Sequence, residues 1–188
     1  MPIEVVPYDR LWPQRFERTR SDLVAALAAV PVRAIEHVGS TSVPGLDAKP
    51  VLDIDVVVAR EQLHPAIDAL ALAGYEHRGD LGIPDRHYLR APNDGLRRRV
   101  YVVVEGSLAL RNHLAVRDAL RASASLRAEY AALKHGLAAE LEDIDLYAAG
   151  KTGLLVRVLA EAGFTPSEID AIRSLNRPPG PTSGLPRT

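Results

Sequence analysis

The stretch VLDIDVVVA, residues 51–59, constrains the fold of this chain more than any other. Its β-branched residues favour a strand. Alternation then sends Asp53 and Asp55 to one face, about 7 Å apart along the strand, and Leu52, Ile54 and Val56 to the other. Such a strand needs an apolar core on one side and a use for two carboxylates on the other. Like charges at that spacing do not ionise together cheaply without a cation between them. Magnesium is the obvious candidate, because hard cations take oxygen ligands.

Upstream, RAIEHV (33–38) reads as a second strand, joined to the first by a loop that carries Pro44, Gly45 and Pro50. Between them lies Gly39-Ser40-Thr41-Ser42. Its glycine permits close backbone approach, and its hydroxyls and amides are able to face a phosphate. A phosphate-cradling turn opposite a two-carboxylate strand is what phosphoryl or nucleotidyl transfer requires. On the residues alone an edge strand with a solvated face, next to ordinary turn chemistry, is the commoner arrangement.

Leu11, Phe16, Leu23 and Leu27 sit at roughly helical spacing, so residues 11–29 are expected to form a helix. A second helix is expected over 61–74, with Pro65 in its first turn and Gly74 as its stop. Short strands follow at 75–78, 87–91 and 97–104. From Ser107 onward the chain is Ala/Leu-rich and helical in period, and Thr165, Pro166 and Glu168 form the start signal of a last helix. This divides the chain into a mixed α/β core (1–106), a helical region (107–175) and a Pro/Gly/Ser-rich tail (176–188) expected to be flexible.

Composition narrows the function. The 23 basic and 24 acidic residues nearly cancel, which argues against nonspecific binding to nucleic acid or anionic membrane, so any anionic ligand must be held by a local cluster. The absence of cysteine excludes disulfides, thiolate metal sites and a thiol nucleophile, and no apolar run approaches the ~20 residues of a membrane span. A cytoplasmic protein is expected. The six histidines show no metal-ligand spacing, which argues against zinc.

Further residues invite two readings each. His37 either contacts a phosphate or is a packed residue with a satisfied hydrogen bond. Arg86, Tyr88 and Arg90 share a face if 87–91 is a strand, and the two arginines suit either bidentate anion contacts or a solvated edge. The run Arg97-Arg98-Arg99 is by default a solvated loop. Lys49 lies near the Asp-x-Asp strand. Lys151, in GKTG, lacks the glycine frame of a Walker motif.

Gly-Ser, twelve intervening residues and Asp-hydrophobic-Asp-hydrophobic resemble the signature of the nucleotidyltransferase superfamily that includes DNA polymerase beta. The longer segment IEHVGSTSVPGLDAKPVLDIDV is similar to the defining block of the GrpB family. YDRLWPQRFE (8–17), GDLGIPDRHYLR (79–90), EGSLALRNHLAVRDALR (105–121), EYAALK (129–134) and DLYAAGKTGLL (145–155) resemble its other blocks in order. The resemblance implies an α/β (α+β) fold, a nucleotidyltransferase-like mixed sheet flanked by helices and followed by C-terminal helices. It implies that Gly39 and Ser40, with Thr41 and Ser42, hold nucleotide phosphates, that Asp53 and Asp55 hold Mg2+ as catalytic ligands, and that Lys151 contacts ligand. It also implies a nucleoside triphosphate donor, an unidentified small-molecule or protein acceptor, and a link to dephospho-CoA kinase, to which family members are sometimes fused. Superfamily enzymes usually add a third carboxylate from a later strand. Here that strand reads Arg99-Val100-Tyr101-Val102, where GrpB relatives tend to carry His-Leu-His-Val, and Glu105 at its end is the one acid available. The two-ion site is therefore incomplete. The alternative function is a catalytically inactive module that binds a nucleotide or a coenzyme-A-related ligand.

Overall fold

Five strands form one sheet in the order β1 (Val32–Val38), β2 (Leu52–Val58), β5 (Arg98–Val104), β4 (Arg86–Arg90) and β3 (Glu76–His77) in the computed structural model, which describes residues 3–175. The tail expected over 176–188 lies outside the described residues. Every neighbouring pair is antiparallel except β2 and β5, which run parallel with Asp53 opposite Arg99 and Asp55 opposite Tyr101. The architecture is α+β, as expected, with one mixed sheet between helices.

The strand alternation resolves as the sequence implies. Leu52, Ile54, Val56 and Val58 of β2 join Val100, Val102 and Val104 of β5 in one buried cluster. Two helices cover it. α1 (Trp12–Ala26) buries Trp12, Phe16, Thr19 and Leu23, which recur at helical spacing, and α2 (Leu63–Leu72) buries Leu63, Ala66, Ile67 and Leu70. Each buried Leu, Ile or Phe among them contributes about 1.5–3 kcal/mol. Gly74, at φ +89°, ends α2 as expected, and the Tyr75 amide turns back to the Leu70 carbonyl at 3.0 Å.

The opposite face of the sheet changes character along its length. At the C-terminal ends of β2 and β5, Val57 and Val103 pack on Ala109 and Leu110 of α3 (Leu108–Ala122). At the N-terminal ends the same face carries Asp53, Asp55, Arg99 and Tyr101. α3 starts at Ser107, whose hydroxyl accepts from the Leu110 amide at 3.3 Å. Beyond it come α4 (Ala124–Glu140), α5 (Ile144–Gly150), α6 (Thr152–Glu161) and α7 (Pro166–Leu175). Leu120, Tyr130, Leu154 and Val158 join Val43 and Leu46 of the β1–β2 loop in a second core that ties the helices to the turn.

The last helix starts with the reciprocal cap its sequence promises. The Thr165 amide donates to Glu168 Oε2 at 2.8 Å, and the Glu168 amide donates to Thr165 Oγ1 at 3.3 Å. The helical period of 145–163 does not reveal a break at Lys151, which divides it into α5 and α6. α5 lies against α4, where a Cβ on Gly150 would come within 2.6 Å of Leu137 Cδ2, whereas α6 lies against α3. Two packing partners in different directions override one continuous period. Among the described residues no helix is long and apolar enough to cross a membrane.

Candidate active site

The turn after β1 is built around Gly39, at φ +68° and ψ −175°, a conformation essentially reserved for glycine. A Cβ there would lie 2.5 Å from Asp53 Oδ2, so the bare backbone closes directly onto the carboxylate. Ser40–Ser42 then form one 3-10 turn, which the Ser42 hydroxyl braces by donating to the Gly39 carbonyl at 2.6 Å. Ser42 is thus spent on the turn. Ser40 and Thr41 line a cavity of about 300 Å3 that also takes in Asp53.

The two aspartates share a face but not an environment. Asp55 is fully buried, and its Oδ2 meets His113 Nδ1 of α3 at 2.8 Å. Its Oδ1 is buried with no protein partner. Burial alone pushes the His113 pKa down, but the charge and hydrogen bond of Asp55 outweigh it and hold the pKa above its ordinary value. Asp53 is a quarter exposed and faces Arg99 Nη1 at 3.7 Å. Burial raises its pKa, opposed by Arg99 and then His113, with Asp55 adding to the rise.

Around Asp53 the cavity is rich in positive charge. Lys49, Arg99, Lys134 and Lys151 line it, with Asp145 as the other acid. Lys151 sits at the α5–α6 junction, 4.5 Å over the Tyr147 ring, and Lys49 lies 5.8 Å over the same ring. Burial pulls Lys151 down to about 8, with Asp53 opposing and Lys49 and Arg99 adding to the fall. Lys134, 2% exposed, donates to the Asp47 carbonyl and lies 4.8 Å over the Tyr130 ring; burial lowers it to about 7. Three cations, with Lys134 partly protonated beside them, against two acids make a cradle for a polyanion.

Some residues singled out in the sequence fall elsewhere. His37 pairs in register with Ile54, so its side chain takes the core face; it stacks on Phe16 at 4.7 Å and shares a 3.0 Å hydrogen bond with Thr41 Oγ1. It is a packed histidine and not a lining residue of the cavity. Arg90 stands opposite Arg99 across the sheet but is exposed, 3.6 Å from Glu76. Glu105 lies past the far end of β5 from Asp53 and pairs with Arg33 at 3.4 Å, both exposed. It does not bring a third carboxylate to the aspartates. Arg86 does share their face, its guanidinium 4.6 Å over the Tyr101 ring and its Nε buried without an acceptor.

The packed state of His37 makes a testable pH dependence. Burial, then Arg121 and Arg117, lower its pKa from 6.5 to about 4. The folded protein therefore binds that proton less readily than the unfolded chain, so the stabilisation is present above pH 6.5 and is lost as the pH falls toward 4. The loss is about 3 kcal/mol. Urea unfolding between pH 7 and 4 should show His37→Phe starting less stable than the wild type, for want of the Thr41 bond, but losing less stability on acidification. Equal acid slopes would refute the assignment.

Sequence reasoning missed His113, which lies 58 residues from its partner Asp55. It also missed Lys134, whose burial nothing in a solvated-looking EYAALK segment announces. The only signal for His113 was its place in a segment that resembles a family block.

With this geometry in view, comparison with known proteins is specific. Residues 2–161 match the GrpB protein family. The UPF0157 protein SCO7215 of Streptomyces coelicolor is 36% identical over 165 residues, covering 87% of this chain and 86% of that protein. The UPF0157 protein YqkA of Bacillus subtilis is 33% identical over 79% of the chain, which spans only 44% of YqkA's length. A dephospho-CoA kinase of Mycolicibacterium paratuberculosis is 28% identical over 80% of the chain, which spans 43% of that kinase. Among solved structures, the conserved protein GrpB from Enterococcus faecalis superposes with a TM-score of 0.74 at 29% identity, over 90% of this chain and 99% of that one. A cytoplasmic RNA terminal U-transferase superposes with a TM-score of 0.51 at 13% identity, over 80% of this chain and 48% of that one, a likeness of nucleotidyltransferase fold alone. Family match, relatives and superposition agree with the blocks read from the sequence, and the chain belongs to the GrpB family.

Proposed function

We propose that this protein binds a nucleoside triphosphate in the cavity between the Gly39 turn and Lys151 and transfers its nucleotidyl group to an acceptor. One observation carries the reading: the Gly39 backbone closes onto Asp53 at the wall of a cavity where Lys49, Arg99 and Lys151 converge. That pairs an anion cradle with a carboxylate strand, the two halves of a phosphoryl-transfer site. The triphosphate would rest against Ser40 and Thr41, with Lys49, Arg99, Lys134 and Lys151 offsetting its charge. The shared hydrogen bond with His113 would keep Asp55 in place. The acceptor is a small molecule or a protein, and the relationship to a dephospho-CoA kinase suggests a role near coenzyme A metabolism.

The residues present fit one divalent ion. Asp55 Oδ1 is a buried acceptor without a partner, and Asp53 shares its face. Magnesium is commonly held by one or two carboxylates plus substrate phosphates. Bound there, it would neutralise charge on the transferring phosphate. A second ion lacks a carboxylate of its own, because β5 offers Arg99 opposite Asp53 and Glu105 pairs with Arg33 past the far end of that strand.

That same Arg99 favours a second reading, a nucleotide-binding module without catalysis, since it brings positive charge where superfamily enzymes usually bring an acid. Calorimetric titration of ATP separates the readings. Affinity is expected to weaken about tenfold or more without Mg2+ and in Asp53→Asn or Asp55→Asn, a change of about 1.4 kcal/mol or more. Binding indifferent to both would defeat the metal-dependent site. Magnesium-dependent binding that never releases pyrophosphate with any acceptor would favour the silent module.

A further inference from the structure

On the far side of His113 lies a larger cavity, about 470 Å3, between the 82–86 loop, α3 and α7. Its walls are mostly apolar, with Ile83, Leu108, Ile172 and Leu175 among them, and Arg86, Asn112 and His113 bring polar atoms to it. Arg86 is the unusual member. Its guanidinium rests on Tyr101 at 4.6 Å, its Nε is buried without an acceptor, and among the described residues no carboxylate pairs with it. The neighbouring Asp85 is committed elsewhere, by a two-pronged ion pair to Arg60 at 2.7 Å. The Nε itself is out of reach, so the half-buried guanidinium meets the cavity through its outer nitrogens, with no carboxylate among the described residues offsetting its charge.

The cavity also neighbours the cleft already described, through shared walls. Asn112 and His113 line both it and a smaller cavity bounded by Gly39, Ser40 and Tyr130, and Ser40 in turn lines the cavity around Asp53. Three adjacent cavities thus lie between Lys151 and α7, cationic at one end and apolar at the other, where Arg86 is the one guanidinium in the wall among the described residues.

We propose that the α3–α7 cavity binds a small organic monoanion, an apolar body bearing one carboxylate that the Arg86 guanidinium receives. One uncommitted positive charge matches one negative charge, and a planar guanidinium matches a carboxylate in two parallel hydrogen bonds. The apolar walls hold the remainder, as in most small-molecule sites. This site stands independently of the triphosphate reading, although its nearness to that cleft suits it to an acceptor.

The probe is 4-phenylbutyrate, with 4-phenylbutanol as its uncharged counterpart, titrated by calorimetry into the whole chain without nucleotide. The wild type should bind the acid at least tenfold more tightly than the alcohol. Arg86→Gln should bring the acid down to the alcohol's affinity. Ala171→Trp, an exposed wall position on α7 that leaves the core intact, should abolish both, which separates this cavity from the cationic one around Lys151. Failure of the wild type to bind either probe, equal affinity for both, or acid binding that survives Ala171→Trp would overturn the proposal. ATP titration is unaffected by those outcomes, so the two sites fail or stand separately.

Discussion

Gly39→Ala is expected to destabilise the protein by about 3 kcal/mol or more and to abolish triphosphate binding. Two effects combine. The conformation at φ +68° and ψ −175° is unfavourable for any residue with a Cβ, and that Cβ would lie 2.5 Å from Asp53 Oδ2 and 3.0 Å from Asp53 Cβ. Neither neighbour is a loose side-chain tip, since Asp53 is held between the turn and Arg99. Gly45→Ala separates the two contributions. Gly45 has φ +77° with nothing within 4 Å of the added Cβ, so it should lose only about 1 kcal/mol and keep ligand binding. Urea denaturation and ATP calorimetry on both variants check this. Similar losses in the two would mean that the close approach to Asp53 contributes nothing.

The second large effect concerns Asp55 and His113. His113→Ala removes the one hydrogen-bond partner that a fully buried carboxylate has among the described residues and should cost about 3–5 kcal/mol. Replacing both members with apolar side chains, Asp55→Leu with His113→Phe, should cost less than His113→Ala alone, because no unpaired charge stays behind. A double-mutant cycle in urea should return a coupling of about 2 kcal/mol or more. Additive losses would show that the pair is not coupled. The pH dependence has a definite sign. His113 is held above its ordinary pKa, so the stabilisation from its protonated form is fully present below pH ~6.5 and is lost as the pH rises through the folded value. The coupling should therefore shrink on raising the pH from 6 to 9.

Much of this arrangement can be read from the chain because period-2 alternation is a local property. The segment 51–59 shows which side chains share a face, and the observed strand, Leu52–Val58, keeps Asp53 and Asp55 together over the core residues Leu52, Ile54 and Val56. The start of the last helix is equally local, since Thr165 and Glu168 cap each other within one turn. What escapes depends on distant packing. Nothing near His113 reveals that a carboxylate from β2 will meet it, and nothing near Lys151 reveals that α5 and α6 follow different neighbours. His37 shows the same limit from the other side: its position beside the turn suggests a ligand contact, but strand register turns it toward Phe16.

The parallel pairing of β2 with β5 also bears on how the molecule comes to exist. β1 and β2 can meet early, being close in sequence, but Asp53 acquires Arg99 as its neighbour only after the chain has completed α2, β3 and β4 and returned along the same direction. Closing a loop of that length costs entropy before any contact repays it, and such non-local pairing slows folding. Until β5 docks, β2 offers an open edge carrying two aspartates, and their charge discourages mispairing with another chain. The acids that line the cavity side of the finished sheet would thus act as a safeguard for the nascent one.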